Sequence, residues 1–204
     1  MRKVFISIIT LIRLSFYAIL LYEAVHKDWT GVFVVLQAIV ISFLPNILKR
    51  YFDIYTPFPL RVGIVFFMCS TLVLGEIADF YNMFWWWDLI LHLVASVGIT
   101  LIAFIFLRIF FNRIELQSSA LFSTILAIST SLAAAVVWEI YEFLIDTFFT
   151  TDTPMQPSNT DTMTDLIVSV VGAVAIGFFG YRYLKWRTRG VISKVIHDGA
   201  ARNS

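Results

Sequence analysis

Residues 121–147, LFSTILAISTSLAAAVVWEIYEFLIDT, decide the fold class of this chain. The first 18 residues of this stretch carry no charged side chain, and about 20 mostly apolar residues suffice for an α-helix to cross a bilayer. Polar and apolar residues do not alternate here, as they would in a strand of a membrane β-barrel. The stretch therefore predicts a transmembrane helix whose far end carries acidic side chains.

The rest of the chain has the same character. Its 204 residues are 59% hydrophobic and 14% charged, with a mean hydropathy of +0.84, whereas a soluble domain is about 25% charged. This composition excludes a disordered protein and a nucleic-acid binder, and the single cysteine, Cys69, excludes an intrachain disulfide scaffold.

We therefore predict an all-α, polytopic membrane protein with a single six-helix transmembrane domain over residues 1–184 and a basic tail over residues 185–204. The predicted spans cover about residues 4–22, 30–48, 61–78, 88–110, 121–147 and 163–184.

The basic residues predict how these spans are oriented. Thirteen of the 15 Lys and Arg residues fall at the N-terminus, around the second and fourth connections, or in the tail. Because Lys and Arg are enriched in cytoplasmic loops, we expect both termini in the cytoplasm (N-in/C-in) of a multi-pass protein of the cell (inner, cytoplasmic) membrane. The basic tail is then expected to lie against anionic lipid headgroups.

The acidic residues are distributed in the opposite way, since 11 of the 14 fall at or toward the outer ends of the predicted spans. On four consecutive spans they recur at helical spacing and so share one helix face. A charged carboxylate in hydrocarbon costs about 2.5–3.5 kcal/mol, so these faces should turn toward the protein interior or toward water. The aligned sets are Glu76 with Asp79, Asp88 with His92, Glu139 with Glu142 and Asp146, and Asp161 with Asp165.

Several carboxylates beside one imidazole are typical of a divalent-cation site for Zn²⁺, Mn²⁺, Fe²⁺ or Mg²⁺. Converging carboxylates repel one another unless a cation or protons intervene. The chain has no HExxH motif and no pair of Glu-x-x-His motifs. We predict Glu139 or Glu142 as a catalytic base and Glu76 as an accessory residue. The predicted metal ligands are His92, Asp88, Glu139, Glu142, Asp146, Asp161 and Asp165.

Some of these acids also have a structural explanation. Acids favour a helix N-terminus, which would explain Asp88, Asp161 and Asp165. Thr162 and Asp165 have the spacing of a capping box, with Asp in place of Glu. Asp146 could simply be solvated at the end of its helix.

The deeper residues leave two further alternatives open. Glu139 could pair with Arg13, because both fall near the middle of a predicted span. His92 could be a neutral imidazole bonded to a helix carbonyl.

Four motifs occur in order along most of the chain, within residues 40–180. They are Leu74-Gly75-Glu76-Ile77 with Tyr81, Trp87-Asp88-Leu89-Ile90-Leu91-His92, Trp138-Glu139-Ile140-Tyr141-Glu142-Phe143 with Asp146, and Asp161-Thr162-Met163-Thr164-Asp165-Leu166 with Gly172-Ala173. In this combination the chain resembles the YjdF-like family of uncharacterised bacterial integral membrane proteins. The resemblance implies a small polytopic protein of the bacterial inner membrane and supplies no reaction.

Three functions fit these observations. The first is a membrane metalloenzyme that acts on lipid or on an envelope precursor, with a metal-activated water and a glutamate base. The second is a cation- or proton-coupled carrier with Glu139 and His92 as the relay; a second acidic patch toward the cytoplasm would favour it. The third is a structural or partner-binding protein without a catalytic site. The expected partners are membrane lipids and a small-molecule, ion or lipid ligand, and the oligomeric state is left open.

Overall fold

The computed structural model describes residues 2–114, 118–148, 155–186 and 194–197. Within these ranges every regular element is helical, which confirms the predicted all-α class. The elements are α1 (Arg2–His26), α2 (Trp29–Ser42), α3 (Leu44–Phe52), α4 (Phe58–Cys69), a π-helical segment (Ser70–Ile77), α5 (Phe80–Met83), α6 (Trp87–Arg113), α7 (Ala120–Phe148) and α8 (Asn159–Trp186). Most of the predicted tail, residues 187–193 and 198–204, lies outside the described ranges.

Five helical stretches among the described residues are long and apolar enough to cross a membrane, and their ends fall within four residues of the predicted ones. α2 and α3 make a sixth if the two helices together form one broken span. The five stretches are Ile6–His26, Phe58–Ile77, Trp87–Asn112, Ala120–Phe148 and Asn159–Trp186.

The second predicted span, residues 30–48, differs from the structure because it is not one straight helix. It bends by 52° between α2 and α3, and Pro45 lies in the first turn of α3. Proline has no N–H to donate, and its ring clashes with the carbonyl group four residues earlier. Pro45 thus ends one helix and starts the next, while the chain continues in the same apolar segment.

Arg13 of α1 lies at this break. Its guanidinium donates a hydrogen bond to the backbone carbonyl of Ser42, the last residue of α2, and lies 4.0 Å from the ring centroid of Phe43. A helix C-terminus has unpaired carbonyl groups and a partial negative charge. Arg13 therefore has a local role at the end of α2, which the sequence did not predict.

The chain divides into two units, residues 1–87 and residues 88–204, and each has its own apolar core. In the first unit the buried core residues come from α1, α2, α4 and the π-helical segment. They are Phe16, Val35, Ala38, Met68 and Leu72. In the second unit, α6, α7 and α8 contribute Ala103, Phe104, Ala127 and Ile176, and Ile196 of the turn 194–197 packs with them.

Glycines on the buried face of α8 let this helix approach α6 and α7 closely. A Cβ atom at Gly172 would lie 2.1 Å from Ser96 Oγ and 3.0 Å from the carbonyl oxygen of Leu93 on α6. A Cβ atom at Gly177 would lie 2.5 Å from Ile128 Cδ1 on α7. Such contacts are too short for any larger residue without movement, so both glycines set the distances at which the three helices pack.

Candidate metal centre

Five of the predicted ligands meet within the second unit, at the start of α6, near the end of α7 and at the start of α8. Asp88 and His92 lie one turn apart on α6, and Glu139 and Glu142 lie one turn apart on α7. Asp165 lies in the second turn of α8. α6 and α8 run in the same direction and α7 runs in the opposite direction. The start of α6, the end of α7 and the start of α8 therefore lie together.

His92 lies at the middle of this cluster. Its Nδ1 atom is 3.7 Å from Glu139 Oε1, and its Nε2 atom is 3.8 Å from Asp88 Oδ1. Both distances exceed those of a hydrogen bond. The imidazole therefore stands between two carboxylates from different helices.

Two groups of three residues share His92. In each group, one potential ligand atom per residue lies within 4.8 Å of the others. A bound cation with bonds of about 2.0–2.2 Å holds its ligand atoms no more than roughly 4.4 Å apart, so small side-chain movements would close either group around a cation. The groups are Asp88–His92–Asp165 and His92–Glu139–Glu142.

The carboxylates of this cluster are buried and only partly satisfied. Asp165 is 1% exposed and Glu139 is 4% exposed. Both carboxylate oxygens of Asp165, and Oε1 of Glu139, have no hydrogen-bond partner among the described residues. Buried polar atoms in native proteins are nearly always hydrogen-bonded, and an uncompensated buried charge is strongly destabilising. Each of these oxygens is thus available to a ligand.

The other contacts of the two glutamates come from uncharged donors. Trp138 Nε1 donates to Glu142 Oε1 over 2.7 Å. Gln156 Nε2 donates to Glu139 Oε2 over 3.3 Å. One oxygen of each glutamate is therefore held in place by a neutral group that does not offset its charge.

Neither Trp138 nor Gln156 is among the site residues predicted from the sequence. Trp138 precedes Glu142 by four residues and so lies on the same helix face. This spacing is visible in the sequence and could have predicted the contact. Gln156 has no such signal, because its position depends on how the connection between α7 and α8 folds.

Asp146 and Asp161 belong to neither group of three. Asp146 accepts hydrogen bonds from the backbone N–H groups of Met155 and Gln156, over 2.9 and 2.7 Å. It thereby holds residues 155–156 against α7, where the Gln156 side chain reaches Glu139. The backbone N–H of Asp161 donates to Ser158 Oγ over 3.2 Å.

This last contact identifies the N-cap of α8 as Ser158 rather than Thr162. Asp165 therefore does not complete a capping box, and its burial has no explanation in helix capping. Asp88 does lie in the first turn of α6, where a negative charge is favourable, so its position has a structural reason in addition to its proximity to His92.

Glu76 and Arg13, the remaining predicted site residues, belong to the first unit. Glu76 lies in the π-helical segment and is exposed. The contacts of Arg13 are those with Ser42 and Phe43 at the break between α2 and α3.

Comparison with known sequences places the chain in a family. Residues 8–186 match the family described as "Predicted membrane protein (DUF2238)". The chain belongs to this family. The matched range includes every residue of the candidate metal centre, and it confirms the membrane protein that the resemblance implied.

A relative from Thermotoga maritima, named "Uncharacterized protein", is 30% identical over 110 residues, which are 54% of this chain and 55% of the relative. The chain thus matches about half the length of that relative. No solved structure matches the chain.

Proposed function

We propose that the second unit binds a divalent cation between α6, α7 and α8, and that the protein is a membrane metalloenzyme acting on a lipid or an envelope precursor. The observation that carries this proposal is the buried carboxylate of Asp165, which has no hydrogen-bond partner among the described residues and lies within ligand distance of His92. One imidazole with several carboxylates suits Zn²⁺, Mn²⁺ or Fe²⁺, and Mg²⁺ less well.

A cation held by these residues would polarise a phosphate or carbonyl group of the substrate, or lower the pKa of a bound water. Glu139 or Glu142 would accept the proton of the attacking water on a carboxylate oxygen that is not bonded to the cation. The hydrogen bonds from Gln156 and Trp138 would keep the two carboxylates in fixed orientations. Burial of the cluster would strengthen its electrostatic interactions with the reacting groups.

The interior of the second unit favours the enzyme over a carrier. One to two turns inward from the cluster, the buried side chains carry hydroxyl groups instead of carboxylates: Ser96, Ser131 and Ser169 are each at most 2% exposed. Ser131 Oγ donates to the carbonyl of Ser96 over 3.0 Å. Beyond them lies the apolar cluster around Phe104. A carrier would need a second ionisable position along this path.

Metal analysis of the purified protein in detergent tests the proposal. After reconstitution with Mn²⁺ or Zn²⁺ and desalting, we expect wild type to retain the metal. His92→Ala should retain less than a tenth of it, because both ligand groups include His92. His26→Ala is the matched control, since His26 is exposed and bonds to a backbone carbonyl of its own helix; it should retain the wild-type amount.

Two results would contradict cation binding: a wild type that retains no metal, or a His92→Ala variant that retains as much as wild type. Either would leave the cluster with a structural role, and the third of the functions predicted from the sequence would then be favoured.

We also propose the orientation given by the basic residues, with the metal centre near the outer face and both termini in the cytoplasm. In a Cys69→Ser background, a cysteine at Pro157 should react with a membrane-impermeant maleimide added to intact cells. A cysteine at Asn112, at the other end of α6, should react only after the cells are opened. Both positions are exposed. The opposite labelling would contradict this orientation. The same result is expected if the α2–α3 segment enters and leaves the membrane on one side instead of crossing it.

A further inference from the structure

The two ligand groups lie at opposite edges of the His92 ring. Asp88, from one group, is nearest to Nε2, and Glu139, from the other group, is nearest to Nδ1. Each of them has a second carboxylate beside it, namely Asp165 and Glu142. The lone pairs of the two imidazole nitrogens point away from each other, so a single cation can bond to only one of them.

The charges of the cluster also exceed what one cation can offset. Its four carboxylates carry four negative charges when ionised. His92 lies within 4.0 Å of the carboxylates of Asp88 and Glu139, and a neutral imidazole adds no positive charge of its own. One divalent cation offsets two of the four carboxylate charges, and like charges repel strongly in a buried space. Two divalent cations would neutralise all four carboxylates.

We infer that the centre holds two cations, one at each nitrogen edge of His92, and this inference rests on the proposed cation binding. Asp88 and Asp165 bind one cation, and Glu139 and Glu142 bind the other. The ring bridges them as an imidazolate, with each nitrogen donating its lone pair to one metal, so the two cations offset the four carboxylates and the imidazolate carries the one charge that remains. The remaining N–H proton of the ring is released to solvent when the second cation binds, as expected when metal ligands must be deprotonated.

Titration of the metal-free, full-length protein with Mn²⁺ in detergent tests the inference by stoichiometry and by electron paramagnetic resonance. Wild type should bind two Mn²⁺ per chain and give the broadened signal of a spin-coupled pair. Asp165→Asn and Glu142→Gln should each bind one Mn²⁺ and give the six-line signal of an isolated ion. Asp161→Asn is the matched control, because Asp161 lies one turn from Asp165 and outside both groups; it should bind two.

The outcomes separate this inference from the proposed function. One Mn²⁺ per chain in wild type, without spin coupling, would overturn the two-cation centre and leave cation binding intact. No bound Mn²⁺ would overturn both. Loss of both ions in Asp165→Asn and also in Glu142→Gln, with monodisperse elution and unchanged circular dichroism, would show a single composite site and would overturn the inference. If a variant fails to fold, the presence or absence of spin coupling between two Mn²⁺ ions in wild type is sufficient to test the inference.

Discussion

Gly172→Ala should lower the thermal stability of the purified protein and the amount of Mn²⁺ that it retains after reconstitution, although alanine is a better helix former than glycine. On propensity alone the change would stabilise α8 by about 1 kcal/mol. The added Cβ atom, however, would lie 2.1 Å from Ser96 Oγ and 3.0 Å from the carbonyl oxygen of Leu93. The carbonyl belongs to the α6 backbone and cannot rotate away. We expect a net loss of about 1–3 kcal/mol, the usual cost of overpacking a core.

The loss of the cation follows from the position of Gly172 on α8. Asp165 precedes it by seven residues, or two turns, and both are buried. If α8 moves away from α6 to admit the methyl group, the Asp165 carboxylate moves away from His92 and Asp88. Metal content measured after reconstitution with Mn²⁺ should therefore fall together with the melting temperature.

Gly98→Ala is the matched control for this experiment. Gly98 also lies on one of the three helices, α6, but a Cβ atom there would have nothing within 4 Å. This variant should be at least as stable as wild type and should keep its metal. Adding Ser96→Ala to Gly172→Ala should recover part of the stability, because it removes the closest contact. Equal stability of the two glycine variants would contradict the close approach of α6 and α8.

The sequence was sufficient to predict the helical class, because it follows from local composition. Twenty or so apolar residues leave a membrane-spanning chain few alternatives to a helix. The break between α2 and α3 was harder to predict. Pro45 indicated that a helix ends, but whether the chain then leaves the apolar segment or bends within it depends on tertiary contacts, such as the one between Arg13 and Ser42.

Helical spacing was also sufficient to choose most of the candidate ligands. It placed Glu139 and Glu142 on one face of α7, and His92 with Asp88 on one face of α6, and these residues do lie together. Spacing could not distinguish Asp165 from Asp161. The two have the same periodicity, and their different burial depends on how α8 packs against α6.

Asp146 illustrates the same limit on α7. It continues the stripe of Glu139 and Glu142, but its oxygens accept hydrogen bonds from backbone N–H groups of residues 155–156. Those partners lie nine and ten residues further along the chain and outside α7, where no helical period predicts their position.

Asp165→Asn should melt at a higher temperature than wild type in chelator, and at a lower temperature than wild type in Mn²⁺. In chelator, wild type retains a buried carboxylate without a hydrogen-bond partner among the described residues, close to the carboxylate of Asp88. Asparagine has nearly the same shape and no charge. Removing the charge should stabilise the metal-free protein by about 1–3 kcal/mol, within the range found when buried charges are replaced. For a protein of this size this corresponds to roughly 2–12 °C.

In saturating Mn²⁺ the order should be the opposite. A ligand at 1,000 times its dissociation constant stabilises the folded state by about 4.1 kcal/mol, or roughly 8–16 °C. Wild type should gain this stabilisation from each cation that it binds, whereas Asp165→Asn should lose the part due to the cation at Asp165, because an amide is a weaker ligand than a carboxylate. Asp161→Asn, with a similar change one turn away, should follow wild type in both conditions.

This reversal in the order of the two melting temperatures distinguishes a metal ligand from a residue with a structural role. If the Asp165 carboxylate stabilised the fold by itself, for example as a helix cap, the asparagine variant would melt at a lower temperature in chelator and in Mn²⁺ alike. If the residue had no role, the two proteins would melt together in both conditions. Only a carboxylate that destabilises the metal-free fold and binds the cation produces a higher melting temperature in one condition and a lower one in the other. Parallel melting curves in the two conditions would therefore exclude Asp165 as a ligand.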